Sequence, residues 1–161
     1  MREYSASFEN VSVTVAQDLF NLQPGADRPI SIAGLTLCNV GGAADAGDAQ
    51  EELLRLSFRR MTATVTNGTG GSSPTPVVKD IDDVAASFTA RANDATTRAT
   101  TSGANTLWFA DGWNVRIPYA MWFPEDFQLQ GQTTANRLII GLDTAPADAL
   151  AVSGCVFIRE M

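Results

Sequence analysis

"DGWNVRIPYAMWFPED" spans residues 111–126 and carries two of the chain's three tryptophans. Trp113, Val115, Ile117, Tyr119, Met121 and Phe123 share one parity, while Asn114, Arg116, Pro118 and Ala120 fall on the other. A period of two over that length predicts a long strand with one buried face. Trp122 stands on the polar parity and is expected to point outward. Pro118 cannot donate a ladder hydrogen bond, so the strand should bend there or run at a sheet edge. Asp111-Gly112, lying between "TLWFA" and "WNVRIPY", reads as a two-residue hairpin turn.

The same period recurs in both directions from this stretch. Leu138, Ile140 and Leu142 alternate, as do Leu150, Val152, Val156 and Ile158. Three further runs alternate and then change parity: Ala6 and Phe8 before Val11 and Val13, Ile30 and Ile32 before Leu35 and Leu37, and Leu54, Leu56 and Phe58 before Met61 and Val65. A change of parity marks a bulge, or a bend that carries a strand round a corner. Strands that turn corners suit a curved sandwich better than a flat open sheet. Turn-rich segments at 23–29, 39–50, 67–76, 102–105 and 144–149 separate the runs. Helical signal is confined to "DAQEELLRL" (48–56), with Asp48 as cap, and "KDIDDVAASF" (79–88), with Asp80 as cap and Ile81, Val84 and Ala85 on one face. The expected fold is all-β: residues 1–161 as a single-domain, two-sheet antiparallel sandwich. It should be jelly-roll-like, with about eight strands, long loops and little helix.

Composition narrows the chemistry. The chain has 161 residues, 45% of them hydrophobic, enough for a real core. A net charge of −7 is the reverse of a phosphate-binding footprint, so no nucleic-acid partner is expected. No apolar run approaches the length of a membrane span, and "MREYSASFENVSV" lacks the apolar core of a signal peptide, so synthesis in the cytoplasm and no membrane partner are expected. With no histidine, the common general base, the usual Ser and Cys triads and most zinc sites are missing. Glu125 and Asp126 are adjacent and would point apart on a strand. Asp80, Asp82 and Asp83 lack the loop of a calcium site, and "GTGG" (68–71) lacks the lysine and following helix of a phosphate loop. The expectation is no enzyme, no cofactor and no metal. Cys38 and Cys155 have no metal or redox spacing and read as two free buried thiols.

"YSASFENVSVTVAQDLF", "RPISIAGLTL", "DGWNVRIPYAMWFPE" and "RLIIGLDTAPADALAVSGCVFIREM" together resemble small tailed-bacteriophage proteins encoded among virion structural genes. The likeness covers most of the chain. It rests on an opening strand, the central "WNV" strand with its proline-bearing aromatic extension, and a closing "APAD…SG" hairpin. The resemblance implies a head decoration (cement) protein on the capsid surface of the virion. Its partners would be the major capsid protein and copies of itself, as a homotrimer, with segment 1–8 or loop 67–76 reaching a neighbour. Lys79 is the only lysine among 11 basic residues, and arginine and aromatic side chains are the usual interface anchors. The candidate anchors are Trp122, Trp108, Arg116, Arg59 and Arg60. An alternative role for Trp108 and Trp122 is as flat platforms for a glycan, in a carbohydrate- or receptor-binding module.

Overall fold

The computed structural model describes residues 1–40 and 52–161. Its strands are β1 (Arg2–Val13), β2 (Gln17–Gln23), β3 (Ile30–Asn39), β4 (Leu53–Met61), β5 (Val65–Thr66), β6 (Val77–Val78), β7 (Thr89–Asp94), β8 (Thr100–Thr101), β9 (Asn105–Asn114), β10 (Tyr119–Trp122), β11 (Leu129–Gly131), β12 (Arg137–Leu142) and β13 (Leu150–Glu160). The eight with six or more residues are β1, β2, β3, β4, β7, β9, β12 and β13; the rest are short pieces. Among the described residues the only helical element is a 3-10 turn at Glu125–Phe127.

One sheet runs β10-β3-β13-β1-β6, with β11 continuing beside β3; the other runs β7-β2-β12-β4-β9. All pairings are antiparallel. The chain places β1, β3, β10 and β13 in the first sheet and β2, β4, β9 and β12 in the second. That alternation is the connectivity of a jelly roll. The inner faces meet in one core, with Phe8, Leu35, Val152 and Val156 from the first sheet and Phe20, Leu56, Phe58, Ile140 and Trp113 from the second. β13 follows the predicted alternation along its whole length.

The opening stretch makes the crossing between sheets. Its predicted long strand is two. β9 ends at Asn114, paired with β4, and β10 begins at Tyr119, paired with β3. Between them the Ile117 amide donates to the Asn114 carbonyl at 3.0 Å, closing a turn. The buried Trp113 indole donates to the Ile117 carbonyl at 2.9 Å and fixes that turn against the core. Ile117 itself is exposed, whereas Trp113 and Val115 are buried and Tyr119, Met121 and Phe123 are half-buried. The bend expected at Pro118 is present, and β10 lies at a sheet edge. The predicted Asp111-Gly112 hairpin is absent: both residues pair straight across to Leu56 and Arg55 of β4. Neither has the positive φ that a tight hairpin turn requires. The closing "APAD…SG" segment is likewise no hairpin, because it joins β12 of one sheet to β13 of the other.

Two of the three parity changes are bulges. β1 shifts register between Phe8 and Val11, where Asn10 takes φ 53°, and β3 shifts at Ala33. The third is different. β4 runs unbroken against β12, and the extra residue is Trp108 on the facing strand β9. Met61 is buried on the other face of the sheet, in a small second core with Ile139, Ala99 and Val65. The segment between β4 and β9 therefore covers the outer face of the second sheet, which explains why all six residues of β12 are buried.

Neither predicted helix forms in the described residues. The Asp80 carboxylate accepts from the Asp82 amide at 3.2 Å, as a cap would, but Ile81, Val84 and Ala85 stay exposed and the chain makes only a turn. The other proposed helix start, at Asp48, and most of loop 39–50 lie outside the described residues. Neither predicted arm is free. Residues 2–8 are part of β1, and loop 67–76 is bridged to its own chain through Thr69–Thr97 and Ser72–Ala92. A side chain at Gly71 would meet the Ala92 carbonyl at 2.1 Å, so glycine there permits close approach rather than reach. Cys38 and Cys155 are free and half-buried; β3 and β13 are neighbours, but Cys38 faces Ser153 and Cys155 faces Thr36. Diagonal positions of this kind are too far apart for a disulfide.

Charged groups tie the covering segment down. Arg98 bridges Asp18 at 2.8 Å and Asp143 at 2.9 Å, and Asp143 also pairs with Arg59 at 3.3 Å. Burial alone would raise the Asp143 carboxyl, but hydrogen bonds from Ser57 and Arg98 outweigh it and hold the group below its ordinary value. A carboxyl lowered by folding contributes stability above its unfolded value and loses it as pH falls through the folded value. Arg98→Met is therefore expected to cost about 2 kcal/mol at neutral pH, because among the described residues it leaves Asp18 with only the Ala99 amide and Asp143 with only Arg59 and Ser57. That deficit should shrink in acid, as measured by urea unfolding at both pH values. Trp113→Phe, which removes the indole donor and leaves a partial void, should cost about 2 kcal/mol in the same measurement.

Candidate functional site

The five predicted anchors do not converge. Arg59 lies on the outer face of the second sheet, where it pairs with Asp143 and donates to the Ser57 hydroxyl at 3.1 Å. Arg116 sits in the exposed turn between β9 and β10, its amide accepted by the Asn114 side chain at 3.1 Å. Arg60 and Trp108 do come together. With Thr106, Asp126 and Gln130 they line a shallow groove of about 280 Å³. Trp108 is 38% exposed, and its ring packs edge-on against Phe123 with centroids 4.9 Å apart.

Trp122 occupies a different surface, the outer face of the first sheet, and is 57% exposed. Its position follows from cross-strand register. Trp122 pairs with Gly34 of β3, and Gly34 pairs with Phe157 of β13. A Cβ at position 34 would lie 2.5 Å from the Trp122 ring, so glycine leaves the space in which the indole lies down. The ring then rests on Phe157, with centroids 4.6 Å apart and planes tilted by 35°. The pair forms one wall of a groove of about 500 Å³.

The opposite wall is polar. Glu3 pairs with Lys79 and with Arg159 at 3.4 Å, and Arg159 pairs with Glu125 at 3.5 Å. The hydrogen bond from Lys79 holds the Glu3 carboxyl below its ordinary value. Gln128 closes one end of the groove, oriented by a 2.7 Å bond from the Ser31 hydroxyl and by its own donation to the Phe123 carbonyl at 3.3 Å. Ser5 and Ala33 line it from β1 and β3. No group of three or more carboxylate or cysteine side chains arranged for a metal ion occurs among the described residues. Cys155, beyond the groove on the same sheet, has a thiol that burial pushes up.

Gly34, Phe157, Arg159, Glu3 and Lys79 escaped the sequence reading. One signal was present: Phe157 is a large aromatic on the polar parity of β13, the same irregularity that singled out Trp122. Their contact across an intervening glycine needs the strand order, which the sequence does not state.

No protein-family model, curated protein or solved structure matches the chain.

Gly34→Val is expected to lift the Trp122 ring from Phe157. Tryptophan emission should shift to the red and become more accessible to acrylamide, at a stability cost of about 1–3 kcal/mol. Unchanged emission would contradict the seating described.

Proposed function

We propose that the chain is a non-enzymatic structural protein of a tailed-phage particle, a decoration protein bound to the capsid exterior. The observation that carries this reading is the edge of the second sheet. β9 has ten residues, pairs only with β4 among the described residues, and contains no lysine, arginine or proline. Leu107 on this strand is 43% exposed, and Trp108 beside it is partly exposed. Proteins that work as free monomers guard long edge strands with charge, proline or a covering segment, because unpaired N–H and C=O groups recruit other strands. An edge this long, with a single charge at Asp111 and with Leu107 and Trp108 exposed, is suited to pairing with another subunit on either side of the bulge at Trp108.

The partners on this reading are the major capsid protein and further copies of the chain, a homotrimer being what the phage resemblance implies. Trp108 and Arg60 sit where an anchor at that edge would be needed. Many identical weak contacts on a lattice reinforce one another, so each edge can be modest in affinity. The jelly-roll connectivity supports the reading in a general way, since capsid and lectin domains share it.

Quantitative mass spectrometry of purified particles tests the proposal. The expected result is copies in proportion to the major capsid protein; none, or a handful per particle, would overturn it. Leu107→Lys, which places a charge on the edge, is expected to reduce particle binding by at least about tenfold while leaving thermal stability nearly unchanged.

A further inference from the structure

The groove on the outer face of the first sheet lies on a different surface from β9 and has its own chemistry. We propose that it is a binding site for a neutral glycan, with one pyranose ring lying against Trp122 and its hydroxyls meeting Glu3, Lys79, Arg159 and Gln128.

Four observations carry this. Trp122 is more than half exposed yet seated: the space over Gly34 and the contact with Phe157 hold it, so little ordering entropy is lost when a ligand covers it. An aromatic face attracts the polarised C–H groups of a sugar ring, as it does other positive edges. The groove volume of about 500 Å³ falls in the range of small-ligand sites. Finally, the polar wall is balanced. Lys79 and Arg159 are each paired with Glu3, and Arg159 with Glu125 as well. An anionic ligand would meet two carboxylates and a cationic ligand two bases. Hydroxyl groups, which donate and accept, can join such a network without leaving a charge unpaired.

A peptide fits less well. The floor of the groove lies over β3, β13 and β1, strands whose backbone groups are used in the sheet's own ladders, and the edge strand β10 contributes the Trp122 ring. An extended peptide takes main-chain hydrogen bonds from a sheet edge, whereas the floor of this groove is the face of the sheet and presents side chains.

The site does not depend on the capsid reading. Copy number in particles and sugar binding are separate measurements, and either can fail alone. The test uses the full chain on an array of neutral and acidic glycans. Tryptophan-emission titrations with cellohexaose, maltohexaose, mannohexaose and chitohexaose follow. At least one neutral oligosaccharide is expected to bind saturably. Trp122→Ala should weaken that binding by about tenfold or more, with Trp122→Tyr losing far less because a flat ring remains. Lys79→Met, at an exposed position where folding is safe, should weaken it by about threefold. Absence of any neutral-glycan binding by the wild-type chain would overturn the proposal. So would binding restricted to acidic glycans, binding indifferent to Trp122→Ala, or occupation of the groove by a peptide instead.

Discussion

The indole of Trp113 governs where the chain leaves one sheet for the other. Buried between the sheets, it spends its single donor on the Ile117 carbonyl and so fixes the turn that ends β9 and starts β10. Everything downstream inherits that geometry. Because β10 enters the first sheet beside β3 in this register, Trp122 meets Gly34 rather than a side chain, and its ring can lie across to Phe157. β9 stops there, at the margin of the second sheet, paired only with β4 among the described residues. The Tyr119 hydroxyl, donating to Asp111 at 3.0 Å, ties the two strands together across the turn.

The two outer faces of the sandwich are unlike. The second sheet is covered by the segment between β4 and β9, held through Arg98, Asp18 and Asp143 and packed over Met61 and Ile139. The first sheet keeps its outer face partly open, and there an aromatic pair faces a neutral ion-pair network. Elsewhere the buried Glu160 carboxylate gathers the Tyr4 hydroxyl at 3.2 Å, the Ser87 amide at 2.9 Å and Arg28 at 3.4 Å. It thereby fixes two connecting segments to the end of β13. Buried charges in this protein hold loops in place, and apolar burial holds the sheets.

Much of the fold was legible in the sequence because period-two patterning reports directly on strands that are buried on one face. β13 and the bulges in β1 and β3 follow from parity alone. The misreadings have a common cause. Parity tells which side of a strand is apolar, not which sheet the strand belongs to. Residues 113–123 kept their alternation across a change of sheet, so two strands read as one. Met61 and Val65 broke the pattern because a second small core lies behind the sheet, and no local signal separates that from a bulge. Asp111-Gly112 has hairpin chemistry, but β4 offers both residues a straight ladder, and tertiary pairing prevailed over local preference. Of the site, Trp122 could be picked out because it defied its strand's parity. The residues around it come from four distant segments and needed the register to be brought together.

Cryo-electron microscopy of the intact particle tests the assembly account most directly. The account predicts the sandwich on the outer surface of the capsid, with β9 within hydrogen-bonding distance of a strand from a neighbouring subunit. A particle whose exterior lacks the protein, or in which β9 faces solvent, would contradict it.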